Sequence, residues 1–339
     1  MRRCEIKSIA DKLAAIPEQS IVKSTYVYTN EPSSGRLLNV TSQLHGKGKI
    51  KTYHVFPGVE MSYISLLTDQ ATYSHVPDEW VLEINYSILG RIGWHMERGE
   101  TIYLGPGDFS IHPRVLCANS TMNLPLGYYE GIMISLDLKT LETVPPPLLK
   151  GINICQEDLL HKFCSDQSLI TLSHDPMIQS IFAPLLENLG PFHRPYSQLK
   201  LQELLLHLYR LPVLPIRQFS PYRIDQIETV KAVHDELLSN LDQRITIEEL
   251  AERYLINVTT LKDIFKTVYG NSIGAFVREQ RMEKAAELLR ISDDSVMMIA
   301  QRVGFKSQSK FTVAFKDVFG TLPTAYRKAY YEAGNLKNI

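Results

Sequence analysis

The chain contains two similar stretches, ITIEELAERYLINVTTLKDIFKTVYG at 245–270 and VMMIAQRVGFKSQSKFTVAFKDVFG at 296–320. Ala251 aligns with Ala300 at an offset of 49 residues, and Phe265 aligns with Phe315 at an offset of 50. The second copy therefore has one extra residue in its turn. Self-similarity of this kind is typical of a duplicated supersecondary unit within the region 245–328.

Each copy fits a helix-turn-helix. Thr246 followed by Glu248 and Glu249 predicts a helix N-cap with acidic residues at the positive end of the helix dipole. Both second helices have apolar residues at i, i+3 and i+4, the spacing of a helix packed on a core. The apolar stripes consist of Val258, Leu261, Ile264, Phe265 and Val268 in copy one, and Phe311, Ala314, Phe315 and Val318 in copy two.

The opposite face of each second helix is mainly polar and also carries Asp263 in copy one and Val313 in copy two. Hydroxyl, amide and lysine side chains on an exposed helix can bond base edges and phosphates in the major groove of DNA. The residues predicted to bind DNA are Thr259, Thr260, Lys262, Lys266, Lys306, Ser307, Gln308, Ser309, Lys310, Thr312 and Lys316.

A longer helix is predicted at 273–289, between the two copies, with Phe276, Met282 and Leu289 facing inward. Successive major-groove segments on one face of B-DNA lie about 34 Å apart. A stiff connector that sets the separation of two helix-turn-helix units suits that geometry.

Seven short motifs span roughly the last third of the chain. They are Ile247-x-x-Leu250-Ala251, Phe265-Lys266-x-x-x-Gly270, Arg281-x-x-x-Ala285-x-x-Leu288-Leu289, Ile299-Ala300-x-x-x-Gly304-Phe305, Ser307-Gln308-Ser309-x-Phe311, Phe315-Lys316-x-x-Phe319-Gly320 and Pro323-x-x-Tyr326-Arg327. Together they resemble the DNA-binding domain of AraC/XylS-type transcription regulators. The resemblance implies sequence-specific DNA binding. Asp263 and Val313 stand where the family often has Arg, so the family's DNA targets do not carry over to this chain.

The composition is that of a globular protein, with 44% of the 339 residues apolar and 22% charged. The formal net charge of −1 argues against a protein that binds polyanions through its overall charge. From Val296 onward, however, seven basic residues outweigh two acidic ones, which makes a local charge of +5. Local charge sets the attraction to phosphates, so we expect this region to be the electrostatic anchor.

Several features favour a cytoplasmic protein that does not enter a membrane. Lys7, Asp11 and Lys12 interrupt any apolar run after the basic start, so no secretion signal is expected. No uncharged run reaches the roughly 18 residues that a membrane helix needs. The cysteines are scattered, as is typical of reduced thiols; they are Cys4, Cys117, Cys155 and Cys164.

The part before about Leu138 is predicted to be β. Short segments rich in Val, Ile, Tyr and Thr alternate with turns, a pattern that favours a barrel or a jelly roll. The predicted strands are 48–56, 59–67, 80–89, 93–96, 109–112 and 131–136. The turn Gly105-Pro106-Gly107-Asp108 resembles one in the cupin-like sensor half of the same family, where a Gly-rich turn precedes an inward-facing strand.

The expected fold class is α+β with several domains. A cupin-like β-barrel sensor domain at 1–145 is followed by a helical segment at 146–211, a Pro-containing linker at 212–221 and an all-α DNA-binding domain at 222–332. Helices are predicted at 156–164, 176–189, 196–209 and 222–241. The last of these is expected to bury Ile227, Val230, Val233, Leu237 and Leu238. The Leu-rich helix at 196–211 either covers the barrel or forms a dimer contact, and both interpretations stay open.

The barrel is predicted to hold a small organic effector. Its aromatic residues suit core packing, and some of them suit the wall of a cavity. We select Glu83, Asn85, Trp94 and His112 as effector-binding residues. Five histidines lie on or near strands, but no His-x-His pair with a downstream Glu accompanies them, and Cys155, His161 and Cys164 lack a second Cys pair. Neither a metal nor another cofactor is therefore expected.

The sequence predicts a transcription regulator that binds double-stranded DNA under the control of a small-molecule effector. Activation through RNA polymerase and a homodimeric state complete this interpretation. No catalytic motif appears, so no enzyme is expected. Two alternatives stay open at this point: a metal-dependent cupin-type enzyme fused to a DNA-binding domain, and a DNA-binding protein that works without an effector.

Overall fold

The computed structural model places the chain in two compact units that divide after Ile224. The described residues are 2–27, 36–40, 46–74, 78–95, 100–117, 119–151, 156–164, 170–173, 175–187, 192–211 and 222–335. The predicted linker at 212–221 lies outside them, as do His45, His75 and Cys155. The sequence put the domain boundary before Tyr222, whereas Tyr222 and Arg223 form a short strand of the first unit.

The first unit is built on two β-sheets. Its strands are β1 (Ser20–Val27), β2 (Arg36–Val40), β3 (Lys47–Phe56), β4 (Val59–Leu67), β5 (Gln70–Ser74), β6 (Val81–Gly90), β7 (Ile92–His95), β8 (Glu100–Leu104), β9 (Asp108–Pro113), β10 (Asn119–Asn123), β11 (Tyr129–Asp137), β12 (Ile170–Ser173) and β13 (Tyr222–Arg223). Among the described residues, eight strands form a large sheet in the order β12-β9-β6-β11-β4-β3-β1-β2, and five form a small sheet in the order β13-β8-β7-β10-β5. Together with the helical second unit, this architecture confirms the predicted α+β fold class.

The central strands β9, β6, β11 and β4 of the large sheet are largely buried on both faces, and strand alternation explains how. In β4, Val59 and Met61 join an apolar core on the outer face, whereas Glu60 and Ser62 line a cavity on the inner face. Strands β6 and β11 alternate in the same way. Their outer residues are Leu82, Ile84, Tyr86, Ile132, Ile134 and Leu136, and their inner residues include Glu83, Asn85, Met133 and Ser135. The inner face is therefore free to carry polar side chains.

This alternation places most of the aromatic residues of these strands in the outer core, as expected. Tyr53, Tyr63 and Tyr86 pack with the outer core. The ring of Tyr86 stacks on Phe182, with 4.4 Å between the ring centroids. Of the aromatic residues in the described part, Trp94 and Tyr129 lie on the cavity wall.

Helices cover the outer face of the large sheet. The helices of the first unit are α1 (Arg2–Lys12), α2 (Leu138–Thr143), α3 (Gln156–Cys164), α4 (Pro176–Phe182) and α5 (His193–Arg210), with 3-10 turns at Arg114–Cys117, Pro147–Leu149 and Ala183–Leu186. Leu201, Leu204, Leu205 and Leu208 of α5 belong to the same core as the sheet. One face of α5 thus covers the sheet. Dimerisation through its other face, where Leu199 is 52% exposed, stays a prediction.

The second unit is a set of helices. They are α6 (Ile224–Ser239), α7 (Ile247–Arg253), α8 (Val258–Tyr269), α9 (Ile273–Ile291), α10 (Val296–Arg302), α11 (Gln308–Phe319) and α12 (Pro323–Asn335). Helices α7 and α8 form the first helix-turn-helix, α10 and α11 form the second, and α9 connects them. Two details of the predicted core are wrong, because Val318 and Leu238 are 40% and 38% exposed.

Backbone bonds show how closely the two copies correspond. The turn after α7 closes with a bond from Ile256 N to Ala251 O, and the turn after α10 with a bond from Phe305 N to Ala300 O. Asn257 then caps α8, whereas Ser307 caps α11. The extra residue of the second copy is therefore Lys306, which lies between the turn and the cap.

The two turns differ in how they reach the left-handed backbone region. Gly304 has a φ of 80° in the second copy, and Leu255 has a φ of 51° at the equivalent place in the first. A side chain in this region is costly for any residue but glycine, asparagine or aspartate. The Leu255 side chain is 95% exposed, so packing does not offset that cost.

An arginine ties each copy to the loop that precedes it. Arg281 of α9 donates to Leu241 O and Gln243 O, both at 2.7 Å. Arg327 of α12 donates to Leu289 O at 3.3 Å and to Asp294 O at 2.6 Å. The duplication therefore extends beyond the helix-turn-helix to an arginine that satisfies backbone carbonyls at a helix C-terminus and in the following loop.

Gly304 of the second copy lies against the arginine of the first. A Cβ at Gly304 would come within 2.8 Å of both Arg281 Cζ and Leu241 O. Nothing larger than glycine fits there without moving the guanidinium group. The turn of copy two therefore packs directly on Arg281 and on the loop that Arg281 bonds.

These contacts predict opposite effects for two turn substitutions. Leu255→Gly should raise the free energy of unfolding of the second unit by about 0.5–1 kcal/mol, because it removes backbone strain without losing packing. Gly304→Ala should lower it by more than about 1 kcal/mol, because the added methyl group meets Arg281 and Leu241.

Urea denaturation of the full chain, followed by circular dichroism at 222 nm, measures both effects. Trp80 and Trp94 lie in the first unit and are the chain's 2 tryptophans, so their fluorescence reports that unit separately and serves as the control. Equal and same-sign shifts for the two variants would contradict the account of the turns.

Candidate nucleic-acid interface and ligand cavity

The outer face of α8 carries four of the residues predicted to bind DNA. Thr259, Lys262 and Lys266 are exposed, and Thr260 is half-buried. Behind them, Leu261, Ile264 and Phe265 are fully buried, which fixes the orientation of the helix. Asn257 accepts a hydrogen bond from Thr259 N at 2.8 Å and so defines the N-terminus of the helix.

The outer face of α11 and the two residues before this helix carry the other predicted residues. Lys306, Gln308, Ser309, Lys310 and Lys316 are exposed, and Ser307 and Thr312 are half-buried. The hydroxyl of Ser307 accepts a hydrogen bond from Lys310 N at 3.5 Å, so this side chain also serves as the helix cap. The structure thus places the predicted residues on two outer helix faces and just before the second helix, and their contact with DNA stays a prediction.

The electrostatics of these faces favour an anionic partner. Within the described part of the chain, none of Lys262, Lys266, Lys306, Lys310 and Lys316 pairs with a carboxylate. Asp317 of α11 does have a partner, because Arg278 of α9 approaches its carboxylate to 2.8 Å. The sequence did not identify Arg278 as a partner of α11, because no local pattern indicates that α9 contacts α11 at this point.

A cavity of about 310 Å³ lies between the two sheets of the first unit. The large sheet contributes inward-facing residues in rows that cross neighbouring strands. One row contains His112, Glu83, Ser135, Glu60 and His54, which the strand register pairs one to the next. The next row contains Asn85, Met133, Ser62, Thr52 and Thr25. Polarity therefore falls from a charged row to a row that is mainly neutral.

Residues of the charged row contact one another and the 3-10 turn at Arg114–Cys117, where Arg114 forms an ion pair with Glu83. Arg114 Nε donates to Glu83 Oε1 at 2.8 Å, and its Nη2 donates to Ser135 Oγ at 2.9 Å. His54 Nδ1 lies 2.9 Å from Glu60 Oε1. Glu83 is buried, so its pairing with Arg114 offsets the cost of removing its charge from water.

His112 lies at the centre of a second polar group. Its Nε2 is 3.2 Å from Asn85 Nδ2 and 3.9 Å from Cys117 Sγ, and its Nδ1 is 3.3 Å from Pro113 O. Burial by itself lowers the pKa of His112, but the contact with Cys117 and the charge of Glu83 outweigh it and raise this pKa to about 9. Arg114 and Asn85 supply hydrogen-bond donors at this end of the cavity, and Glu83 and Glu60 supply acceptors, so it suits the polar group of a ligand.

The other end of the cavity is apolar. Its lining residues are Ile21, Ile50, Ile64, Leu66, Ile92, Trp94 and Met122, contributed by both sheets. Lys23 also lines the cavity, and burial lowers its pKa. The arrangement can hold a small molecule that has one polar end and one apolar end.

The structure brings all four residues predicted to bind the effector to this cavity. Glu83, Asn85 and His112 lie at the polar end, and Trp94 lies on the small sheet among the apolar residues. Arg114, Cys117 and Lys23 were missed. Their role depends on strand register and on the position of a 3-10 turn, which the sequence pattern does not reveal.

Two further properties concern the described residues alone. They contain no cluster of three or more His, Cys, Asp or Glu side chains placed to hold a metal ion. None of the described helices has the length and apolarity needed to cross a bilayer.

Comparison with known proteins finds similarity over the second unit. A family described as "Helix-turn-helix domain" matches residues 250–329. The multiple antibiotic resistance protein MarA of Escherichia coli (strain K12) is 31% identical over 99 residues, which are 29% of this chain and 78% of MarA. The right origin-binding protein of the same organism is 33% identical over 106 residues, 31% of this chain and 37% of that protein.

Solved structures also show similarity. The DNA-binding domain of the global transcriptional factor AdpA, in complex with a target DNA, is 30% identical and covers 31% of this chain and 95% of its own, with a TM-score of 0.30. Unsaturated fatty acid-bound ToxT from Vibrio cholerae strain SCE256 is 11% identical and covers 81% of this chain and 96% of its own, with a TM-score of 0.33. Both TM-scores are low, and the architecture of the first unit follows from its own sheet topology.

Proposed function

Because this chain belongs to the AraC/XylS-type family of DNA-binding transcription regulators, we propose that α8 and α11 enter two consecutive major-groove segments of its DNA target. We also propose that a small organic effector in the cavity of the first unit controls this binding. The observation that carries the proposal is the duplication itself: two equivalent helices, each with a buried apolar stripe and a polar outer face.

The bond network of the second unit supports binding by both copies at once. Helix α9 connects the two helix-turn-helix units, and its Arg281 contacts both the loop before the first unit and the turn of the second. Their separation is therefore fixed in the protein without DNA. Major-groove segments on one face of a duplex repeat every 34–36 Å or so. A fixed spacing selects DNA in which both segments carry the right bases, which increases specificity beyond that of a single helix.

The lysines on the two outer faces support a strong phosphate contribution. Lys310 and Lys316 lie at opposite ends of α11, and both are exposed. Contacts of this kind release counterions from DNA and make binding depend on salt. Lys310 and Lys316 are proposed to bind phosphates, whereas Gln308, Ser309 and Thr312 are proposed to bond base edges.

The shape and chemistry of the cavity support an amphipathic effector. Arg114, His112 and Asn85 suit an acceptor or carboxylate group, and Ile50, Ile64 and the other apolar residues suit a hydrocarbon or aromatic body. Effector control requires that the ligand prefer one state of the protein by about 1–3 kcal/mol. The effector is the proposed regulator of a protein that is not itself an enzyme.

The proposed outcome is activation of transcription through RNA polymerase, in the cytoplasm, by a homodimer. Exposed apolar side chains on the outer side of α5 support dimerisation, since Tyr196 and Leu199 are 42% and 52% exposed. Dimers double the length of DNA that is read, and so they increase specificity further.

The DNA proposal predicts how the salt dependence of binding responds to two lysines. With a duplex enriched from a random library by the wild-type protein, Lys310→Ala combined with Lys316→Ala should lower the slope of log K against log salt by about 2. The reason is that two phosphate contacts, with their released counterions, are lost. Gel-shift titration at several salt concentrations measures the slope.

A matched pair of exposed lysines in the first unit, Lys7→Ala combined with Lys150→Ala, provides the control and should leave the slope unchanged. A Lys310 and Lys316 double variant with the wild-type slope would show that these side chains do not touch the phosphates.

The effector proposal predicts the result of filling the cavity. Ile64→Phe adds bulk to the apolar end without removing a hydrogen bond. A thermal-shift screen of small amphipathic acids and alcohols, with tryptophan fluorescence as the readout of the first unit, identifies compounds that bind. At 100 times its Kd, such a compound should raise the free energy of unfolding of the wild-type first unit by about 2.7 kcal/mol. That stabilisation should be lost in Ile64→Phe.

Ile6→Phe makes the same change on the exposed side of α1 and should keep the stabilisation. If Ile64→Phe kept it too, the compound would bind elsewhere, and the cavity would not be the effector site.

A further inference from the structure

Two residues on the outer helix faces occupy equivalent positions but differ completely in chemistry. Asp263 of α8 and Val313 of α11 are separated by the same offset of 50 residues that relates Phe265 to Phe315. Both follow the helix cap at the same distance, since Asn257 caps α8 and Ser307 caps α11. The duplication therefore places an acidic side chain on one helix and an apolar side chain at the same point of the equivalent helix.

Neither side chain is needed for packing within the second unit. Val313 is 61% exposed on a face that is otherwise mainly polar, and its neighbours Ala314 and Phe315 are buried. Asp263 is exposed, and its neighbours Ile264 and Phe265 are fully buried. Both side chains are therefore available to a partner that lies against these helix faces.

Base edges in the major groove supply a suitable partner for each. Cytosine presents its N4 amino group as a donor, which a carboxylate accepts. Thymine presents its C5-methyl group, which an apolar side chain contacts. We propose that Asp263 and Val313 are the specificity-determining residues of their helices and read a cytosine and a thymine, respectively. This proposal rests on the proposed entry of both helices into the major groove.

The surroundings of Val313 fit a methyl group. Phe305, Val313 and Ala314 line an apolar depression on the surface, together with Arg278, Ser309 and Lys310. The depression is too shallow to form an interior site, and a flat base edge can lie against it. Ser309 and Lys310 place polar groups beside it that can bond the same base pair or the adjacent phosphate.

The rigid connection between the copies sets the distance between the two bases. Equivalent positions on helices in consecutive groove segments reach bases about 10–10.5 base pairs apart. The target is therefore expected to contain a cytosine read by copy one and a thymine read by copy two, separated by about one helical turn.

Selection from a random duplex library with the full-length protein, followed by exchange variants, tests the proposal. Val313→Asp should change the preferred base at one position from thymine to cytosine. Asp263→Val should change it from cytosine to thymine at a second position about one turn away. At each position, the wild-type preference should be about tenfold over the wrong base.

Replacing the read thymine by deoxyuridine removes its methyl group alone. The wild-type protein should then bind about fourfold more weakly, the effect of one lost methyl contact. Val313→Ala should be insensitive to the replacement. Val318→Ala, an exposed valine on the same helix, is the matched control and should keep the wild-type sensitivity.

The outcomes separate this inference from the function on which it rests. If no duplex is enriched by the wild-type protein, the proposed function itself fails and the inference falls with it. If duplexes are enriched but the exchange variants keep the wild-type preferences, or deoxyuridine is harmless at every thymine, DNA binding stands and the inference is overturned.

Discussion

The guanidinium group of Arg281 is the contact on which the arrangement of the second unit depends. It extends from the connecting helix α9, donates to Leu241 O and Gln243 O in the loop before the first copy, and lies against Gly304 of the second. Backbone carbonyls at a helix end need donors, and a planar guanidinium supplies two in a fixed geometry. One side chain thereby joins both copies to the helix between them, so the separation of α8 and α11 follows from covalent and hydrogen-bond geometry.

Much of the second unit could be predicted from the sequence because its signals are local. Periodicity located the buried stripes of α8 and α11, and Thr246 with Glu249 forms the capping box at the start of α7. The extra residue of copy two was also visible as a change of offset. The bonds of Arg281 and Arg327 to backbone carbonyls could not be predicted from the sequence. A side chain that bonds a loop about 40 residues away leaves no periodic pattern. Val318 and Leu238 were placed in the core wrongly, since apolar type at the right spacing does not show where a stripe ends.

The first unit was harder to predict, and the reason is the large sheet. A sheet buried on both faces has no solvent side, so an alternation of polar and apolar residues shows two interiors rather than an inside and an outside. Glu83 and Asn85 were selected as effector-binding residues, and both line the cavity. Arg114 and Cys117 supply part of that environment from a 3-10 turn, and only the register of β6 with β9 places His112 beside Glu83. Helix α1 was missed, because most of its residues are polar and the buried Ile9 gives too weak a periodic signal.

Hydroxyl-radical footprinting of the full-length protein on a duplex selected by it tests the central claim most directly, which is that two equivalent helices bind consecutive groove segments at a fixed separation. The account predicts that each bound protomer gives two protected zones on one face of the duplex, with centres about 10–10.5 base pairs apart. A single protected zone, or two zones on opposite faces, would contradict it.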